Sequence, residues 1–179
     1  MTGIFIKILR MSAWGISLQM FLPVITSGVI YLAGYPLTAF LVFQLFIEAF
    51  ALWQLSMGIV LSKYSAAGKI RVLFIFNMIF ALAYRFGSNA FQVWHYVNLG
   101  GFAEMEKLYW LIPVHIYASA GMIYCFWLNA KWIRENETAD GTGINESVLK
   151  TFFRVLMFPW GLWNIQPRLN AIVSKYNRN

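Results

Sequence analysis

The chain has 179 residues, of which 60% are hydrophobic and only 12% are charged, and its mean hydropathy is +0.60. Soluble domains have about 45–50% apolar and about 25% charged residues, so this composition excludes a disordered chain and argues against a water-soluble globule. The single cysteine excludes an intramolecular disulfide and a cysteine-rich metal site.

Four apolar stretches follow one another along the chain. A helix needs about 20 apolar residues to cross a bilayer core of about 30 Å, and the stretches at about residues 11–32, 37–61, 72–96 and 108–128 are long enough. Gly34 and Pro36 break the run between the first two, which is typical of a tight turn. The sequence therefore predicts an all-α polytopic membrane protein whose residues 1–132 form an antiparallel four-helix bundle.

The net charge of +7 is distributed unevenly around these spans. Twelve of the fourteen basic residues flank span ends on one side of the membrane: Lys7, Arg10, Lys63, Lys69, Arg71, Lys131, Arg134, Lys150, Arg154, Arg168, Lys175 and Arg178. Cationic loops stay in the cytoplasm, so we predict a multi-pass protein of a cell inner membrane with both termini cytoplasmic. The charge is then a signal of topology, and no nucleic-acid partner is expected.

A cleaved secretory signal is the alternative interpretation of the N-terminus, where Lys7 and Arg10 precede an apolar run. That run is too long for a signal peptide, and no convincing small-residue cleavage site follows it. We therefore interpret the segment as the first span.

Polar side chains within the spans fall on one face of each helix when residues are placed 100° apart. Hydrocarbon penalises exposed polar groups, so these faces are expected to turn towards one another and form a polar seam. The seam consists of Gln44 and Glu48 in the second span, Arg85 and Asn89 in the third, and His115 and Ser119 in the fourth.

Glu48 and Arg85 are the two charges of this seam. Each lies eleven residues from the outer end of its span, which places both about 16–17 Å deep at 1.5 Å per residue. A lone charge at that depth costs at least about 2.5–3.5 kcal/mol, so we expect the two to pair. The pair is either an ion-pair lock that holds the bundle together or part of a site for a ligand, an ion or a proton.

Two histidines, His95 and His115, lie in the outer half of the third and fourth spans. Histidines on neighbouring helices can ligate haem iron or a metal ion. The estimated depths differ by about 9 Å, and no recognised haem or metal motif accompanies the two residues. No cofactor is therefore predicted, and a b-type haem is kept as an alternative.

The composition becomes polar after Trp132. Residues 133–146 are predicted to be a linker, and residues 147–179 an amphipathic cytoplasmic tail that begins at a helix cap, Ser147. Two tryptophans of this tail suit the headgroup region, and two of its cations are expected to contact anionic lipid. These membrane-surface residues are Trp160, Trp163, Arg168 and Lys175.

The tail contains the string Phe158-Pro159-Trp160-Gly161-Leu162-Trp163-Asn164-Ile165-Gln166-Pro167-Arg168-Leu169-Asn170. It resembles the C-terminal signature FPxGxWxxQPRxN of small four-span bacterial membrane proteins, and Val114-His115-Ile116-Tyr117 resembles the start of their fourth span. The resemblance implies the four-span architecture and a bacterial origin. It implies no activity and no catalytic residues.

These features lead to three hypotheses about the function. No nucleophile, base and orienting group converge, so the sequence favours a non-enzymatic accessory or scaffolding subunit of a membrane complex, with the lipid bilayer and other subunits or a second copy as partners. The first alternative is a small-molecule, lipid or ion-handling protein that uses the polar seam around Glu48, Arg85 and His115. The second is a b-type haem protein that uses His95 and His115.

Overall fold

The computed structural model describes residues 2–63, 68–103, 111–138, 146–157 and 161–176, and all of its regular elements within these ranges are α-helices. In chain order they are α1 (Thr2–Leu9), α2 (Ala13–Leu32), α3 (Pro36–Leu61), α4 (Gly68–Leu99), α5 (Ile112–Thr138), α6 (Val148–Leu156) and α7 (Leu162–Tyr176). The predicted all-α class is confirmed.

Three helices are long and apolar enough to cross a membrane, namely Ala13–Leu32, Pro36–Leu61 and the Arg71–Leu99 part of α4. They match the first three predicted spans and indicate a membrane protein. The fourth predicted span falls on α5, which is not among these three, and its residues 108–110 lie outside the described part of the chain.

Local sequence explains where the helices begin and end. The Ser12 hydroxyl accepts a hydrogen bond from the Gly15 amide at the start of α2, and the Ser147 hydroxyl accepts one from the Lys150 amide at the start of α6. The cap predicted at Ser147 is thereby confirmed. Between α2 and α3 the chain turns at Gly34, whose positive φ of 87° favours glycine.

Helix α3 is central to the packing. It contacts α1, α2, α4 and α5, and α4 and α5 also contact each other. Within the described residues, α2 packs against α3 and α7 but does not approach α4 or α5. The polar faces of α3, α4 and α5 are therefore the ones that meet.

The hydrophobic core is concentrated where α1, α6 and α7 gather around the ends of α3, α4 and α5; we call this the capped end. Its largest fully buried side chains include Leu9, Trp53, Phe74, Trp132 and Leu169. We call the opposite end, which contains the turn at Gly34 and residues 100–103, the open end. Many apolar side chains in the long helices are exposed there, among them Leu32, Phe86 and Ile116.

The tail differs from the sequence-based expectation. The apolar face of α7, predicted to lie on lipid, is buried against the bundle, and its residues Ile165, Leu169, Ile172 and Val173 are at most 4% exposed. The tail thus completes the core of the capped end. Burial of each large apolar side chain there is worth about 1.5–3 kcal/mol.

The predicted linker also differs. Residues 133–138 continue α5, and Ile133 and Asn136 are buried. These residues continue α5 because its last turns pack against α6 and α7. The polar composition of the segment does not indicate this contact. Residues 139–145 of the predicted linker lie outside the described residues. Helix α1 was not predicted, and its Leu9 is fully buried.

Candidate functional site

The polar seam brings four of its predicted residues together between α3 and α4. Arg85 Nη2 donates a hydrogen bond of 2.7 Å to Gln44 Oε1, and Asn89 Nδ2 donates one of 3.1 Å to the same oxygen. Arg85 Nε lies 3.5 Å from Glu48 Oε1. The i, i+4 spacing of Gln44 with Glu48 and of Arg85 with Asn89 puts each pair on one helix face, which explains the meeting.

The ion pair is not closed off from its surroundings. The Glu48 side chain is 38% exposed and that of Arg85 is 22% exposed. Glu48 lies on the same face of α3 as Leu41, Leu45 and Leu52, which are 47%, 60% and 47% exposed. We call these three residues with Glu48 the leucine stripe. A carboxylate thus stands within an exposed apolar surface.

His115 and Ser119 extend the seam along α5. The hydroxyl of Tyr84 lies 3.2 Å from His115 Nδ1, which joins α4 to α5. Ser119 lines a cavity of about 280 Å³, together with Arg85 and His115. Tyr84 shares the polar face of α4 but was not among the predicted site residues. Its hydrogen bond to His115 depends on the depth at which α4 and α5 meet, which helical periodicity does not give.

A second cavity, which we call the outer cavity, lies towards the open end and has a volume of about 420 Å³. Tyr84, Asn89 and His115 line it, so the seam opens into this space. Phe40 and Phe102 form its aromatic side, with ring centroids 5.2 Å apart.

The two histidines have separate surroundings. His95 Nδ1 donates to the Gly101 carbonyl at 2.6 Å, and the nearby Gln92 Oε1 accepts from the Ala103 amide. His115 lines both cavities, whereas His95 lines neither. Among the described residues there is no group of three His, Cys, Asp or Glu side chains that could hold a metal ion.

A second polar cluster, which the sequence analysis did not predict, joins the end of α5 and Glu146 to the tail helices. Arg168 binds both carboxylate oxygens of Glu137, through Nε at 2.6 Å and Nη2 at 2.8 Å, and its Nη1 binds Glu146 at 2.8 Å. Arg134 adds a contact to Glu137, and Arg154 adds one to Glu146. We call these five residues the tail cluster.

Burial alone would raise the pKa of Glu137, but the hydrogen bonds and charges of Arg168 and Arg134 outweigh it, so the pKa of this carboxyl is lowered. Arg168 was predicted to contact lipid and is instead only 8% exposed. A signal for this was present in the sequence, because Arg168 falls among Ile165, Leu169 and Ile172 on the apolar face of α7.

The other predicted tail residues have different positions. Trp163 is 41% exposed and packs edge-to-face on Trp14, with ring centroids 4.4 Å apart. Lys175 is exposed on α7. Trp160 lies outside the described residues. Membrane contact by Trp163 and Lys175 stays a prediction.

Two further residues of the tail string hold it in place. Gln166, which is fully buried, accepts a hydrogen bond from Trp53 Nε1 and donates to the Leu9 and Met11 carbonyls. At Gly161 a Cβ atom would collide with the Arg154 carbonyl, so only glycine fits this close approach.

No protein-family model matches this chain, and neither a curated protein nor a solved structure is significantly similar to it.

Proposed function

We propose that the chain is a four-span protein of a bacterial inner membrane and serves as a non-enzymatic accessory or scaffolding subunit of a membrane complex. Support for a fourth span comes from the pairing of α5 with α4, a helix long and apolar enough to cross a membrane. Contacts between them join Cys125 Sγ to the Phe74 carbonyl, Tyr117 to Asn77, and His115 to Tyr84. A helix paired along a membrane-crossing helix shares its depth, so α5 crosses as well.

Both termini are proposed to lie in the cytoplasm. The capped end collects the basic residues of several elements, including Lys7 of α1, Lys131 of α5 and Arg154 of α6. Cations favour the cytoplasmic side of a membrane, which supports an orientation with the capped end inside.

This orientation predicts a labelling pattern for single cysteines in a Cys125→Ala background. A membrane-impermeant maleimide applied to spheroplasts should label Leu99→Cys, at the open end, and should label Lys63→Cys only after the membrane is permeabilised. Leu99 is 64% exposed and Lys63 is also exposed, so both positions are accessible to the reagent. The reverse pattern would show the opposite topology.

One observation carries the accessory-subunit proposal: the leucine stripe contains a half-exposed carboxylate. Lipid tails cover leucine at no cost, but they cannot solvate Glu48, and a charge near the bilayer centre costs at least about 2.5–3.5 kcal/mol. Arg85 relieves this cost only in part, since its Nε is 3.5 Å away. A protein helix that covers the stripe and offers hydrogen-bond donors to Glu48 would remove the remaining cost.

The proposed occupant is a transmembrane helix of another protein rather than a second copy of this chain. A symmetric dimer centred on the stripe would place two Glu48 carboxylates face to face, because the same patch meets itself in a two-fold contact. A different helix with a hydroxyl, an amide or a cation at that depth complements the carboxylate instead.

Photo-crosslinking at native expression tests this proposal. A benzoylphenylalanine at Leu45 or Leu52 should give one adduct heavier than this 20.7 kDa chain by the mass of a distinct partner. Ile79 on α4, which is 57% exposed and outside the stripe, is the matched control and should give none. In the Leu45 background, Glu48→Gln should reduce the adduct about threefold or more, since interhelical hydrogen bonds are worth about 0.6 kcal/mol on average.

Two results would overturn the proposal. One is an adduct with twice the mass of this chain, which would indicate a homodimer. The other is equal crosslinking from Leu45 and from Ile79, which would mean that the stripe has no partner of its own.

A further inference from the structure

The outer cavity has properties that the accessory-subunit proposal does not use. Its volume of about 420 Å³ lies within the range of about 300–1,000 Å³ that is typical of small-molecule sites. It is formed by α3, α4 and α5 and the segment that carries Phe102, and it is separate from the leucine stripe. Its occupancy can therefore be tested independently of a partner helix.

One wall of the outer cavity is polar and uncharged. Tyr84, Ser88 and Gln92 follow one another at four-residue spacing on α4, beside Asn89, and His115 faces them from α5. No Asp, Glu, Lys or Arg is among the described lining residues. The described part of the lining thus offers a charged ligand no partner of opposite charge, which favours a neutral ligand on this wall.

The same wall is rich in hydrogen-bond donors. Within the described residues, the Ser88 hydroxyl has no hydrogen-bond partner, and Gln92 uses its carbonyl oxygen for the Ala103 amide, which leaves its amide N–H groups available. The hydrogen bond between the Tyr84 hydroxyl and His115 Nδ1 occupies one ring nitrogen of His115 and leaves Nε2 as its other polar atom. A bound molecule should therefore present acceptors, such as carbonyl oxygens.

The opposite wall is apolar. Phe40 and Phe102 present aromatic surfaces, and Phe102 is supported by Tyr96, with ring centroids 4.9 Å apart. Ile112 lines the cavity and is 50% exposed, so the apolar wall continues to the outer surface of the helices. A hydrocarbon tail can follow this wall from the cavity towards lipid.

We propose that the outer cavity binds a neutral amphiphile whose headgroup carries carbonyl oxygens, with the headgroup on the donor wall and the hydrocarbon part along Phe40, Phe102 and Ile112. Lipid-soluble quinones and acylglycerols share this chemistry. Ser88 and Gln92 donate to the carbonyl oxygens, and the aromatic wall holds the ring or the first part of the acyl chain.

Binding to the full-length protein in lipid nanodiscs tests this site with probes that share a ten-carbon tail. Decylubiquinone, monodecanoylglycerol, decanoate and decane are titrated by calorimetry. We expect saturable binding of one molecule per chain for a carbonyl-bearing neutral probe, at least tenfold tighter than for decanoate or decane. Saturation by the quinone alone identifies the quinone class, saturation by the glyceride alone identifies the acylglycerol class, and saturation by both supports the shared headgroup chemistry.

Two variants link binding to the cavity. Ser88→Phe fills the space and should abolish binding, and Ser88→Ala, which breaks no bond within the described residues, should weaken it about threefold or more. Ser17→Ala is the matched control, since Ser17 Oγ also lacks a partner among the described residues and lies on α2, which does not line the cavity. Thermal unfolding checks that each variant is folded, and Ser88→Ala keeps the test decisive if Ser88→Phe misfolds.

The proposal is overturned if no probe binds saturably. It is also overturned if decanoate or decane binds as tightly as the neutral carbonyl probes, or if binding is the same in the wild type and the folded Ser88 variants.

Discussion

Gln166 joins three helices of the capped end through one amide group. Its oxygen accepts from Trp53 on α3 at 3.1 Å, and its nitrogen donates to the carbonyls of Leu9 and Met11 at the end of α1 at 2.6 and 3.0 Å. The last carbonyls of a helix have no partner within it, and this amide satisfies the carbonyl of Leu9, the last residue of α1. Removal of the amide would leave several buried polar groups unsatisfied.

Gln166→Leu should therefore destabilise the protein by about 2–5 kcal/mol, because each unsatisfied buried group costs about 1–3 kcal/mol. The measurement is thermal or denaturant unfolding in detergent, followed by tryptophan fluorescence. Gln19→Leu is the control, since Gln19 is exposed on α2 and the change should be within about 0.5 kcal/mol. An equal midpoint for wild type and Gln166→Leu would contradict the assigned role.

At this scale the sequence predicted the seam better than it predicted the tail. The seam could be predicted because polar residues at helical spacing within apolar spans avoid lipid and lie between helices. It contains Gln44, Glu48, Arg85 and Asn89. Gln166 gave no such signal, because a glutamine in an amphipathic tail is equally compatible with water, lipid headgroups or a buried amide. Its partners on α1 and α3 are more than 100 residues away, at separations that helical periodicity does not report.

At the scale of elements, the tail cluster determines how α6 and α7 are held against α5. Arg168 of α7 bridges Glu137 at the end of α5 and Glu146, just before α6. Pairing and hydrogen bonds offset the desolvation cost of buried charges, and loss of one partner leaves the other buried and uncompensated. The docking of α7 against α5 therefore depends on the ionised state of Glu137.

The lowered pKa of Glu137 determines in which direction the stability of the fold changes with pH. A carboxyl whose folded pKa is lowered stabilises the fold above its unfolded value of about 4.3, and this contribution is lost as the pH falls through the folded value. The wild type should thus be more stable than Glu137→Gln at pH 6–7, and the difference should shrink towards zero as the pH falls below about 4.

Unfolding midpoints measured as a function of pH for both proteins check this prediction. Glu135→Gln is the matched control, because Glu135 is 40% exposed and lies 3.8 Å from Lys131, a pair expected to contribute at most about 1 kcal/mol at any pH. A difference between wild type and Glu137→Gln that stays constant from pH 3 to pH 7 would contradict the ionic role.

The sequence predicted where α6 begins and which face of α7 is apolar, but not what covers that face. An amphipathic helix has the same pattern whether lipid or protein lies against it. The distinguishing residue was Arg168, since a cation among apolar positions is costly on a membrane surface helix and favourable beside Glu137. The extension of α5 to Thr138 follows from the same contacts and could not be derived from the polar composition of residues 133–138.

At the scale of the whole molecule, the two ends are packed differently. The capped end holds most of the fully buried side chains, including Trp53, Trp132 and Leu169, whereas the open end contains the outer cavity. The predicted division into a membrane domain at residues 1–132 and a separate tail would leave this core intact without α7. Because Leu162, Ile165 and Leu169 are fully buried, we expect the opposite.

A chain truncated after residue 146 should therefore lose most of its stability rather than retain an independent bundle. The missing helices contribute Leu162, Ile165 and Leu169, each fully buried and each worth about 1.5–3 kcal/mol. The measurement is monodispersity and unfolding in mild detergent, with the full-length chain as reference. A truncated protein that is monodisperse and unfolds at the wild-type midpoint would restore the two-domain interpretation.

The contact between Gln166 and the Leu9 carbonyl has a consequence for biosynthesis, because it joins residues 157 positions apart. The ribosome makes Gln166 157 residues after Leu9, so α1 has no access to this partner while the intervening helices are being made. Contacts that close such long loops form slowly, and until then the apolar side chains of the capped end have no cover. We therefore expect the nascent chain to need protection at the membrane surface until α7 has left the ribosomal tunnel.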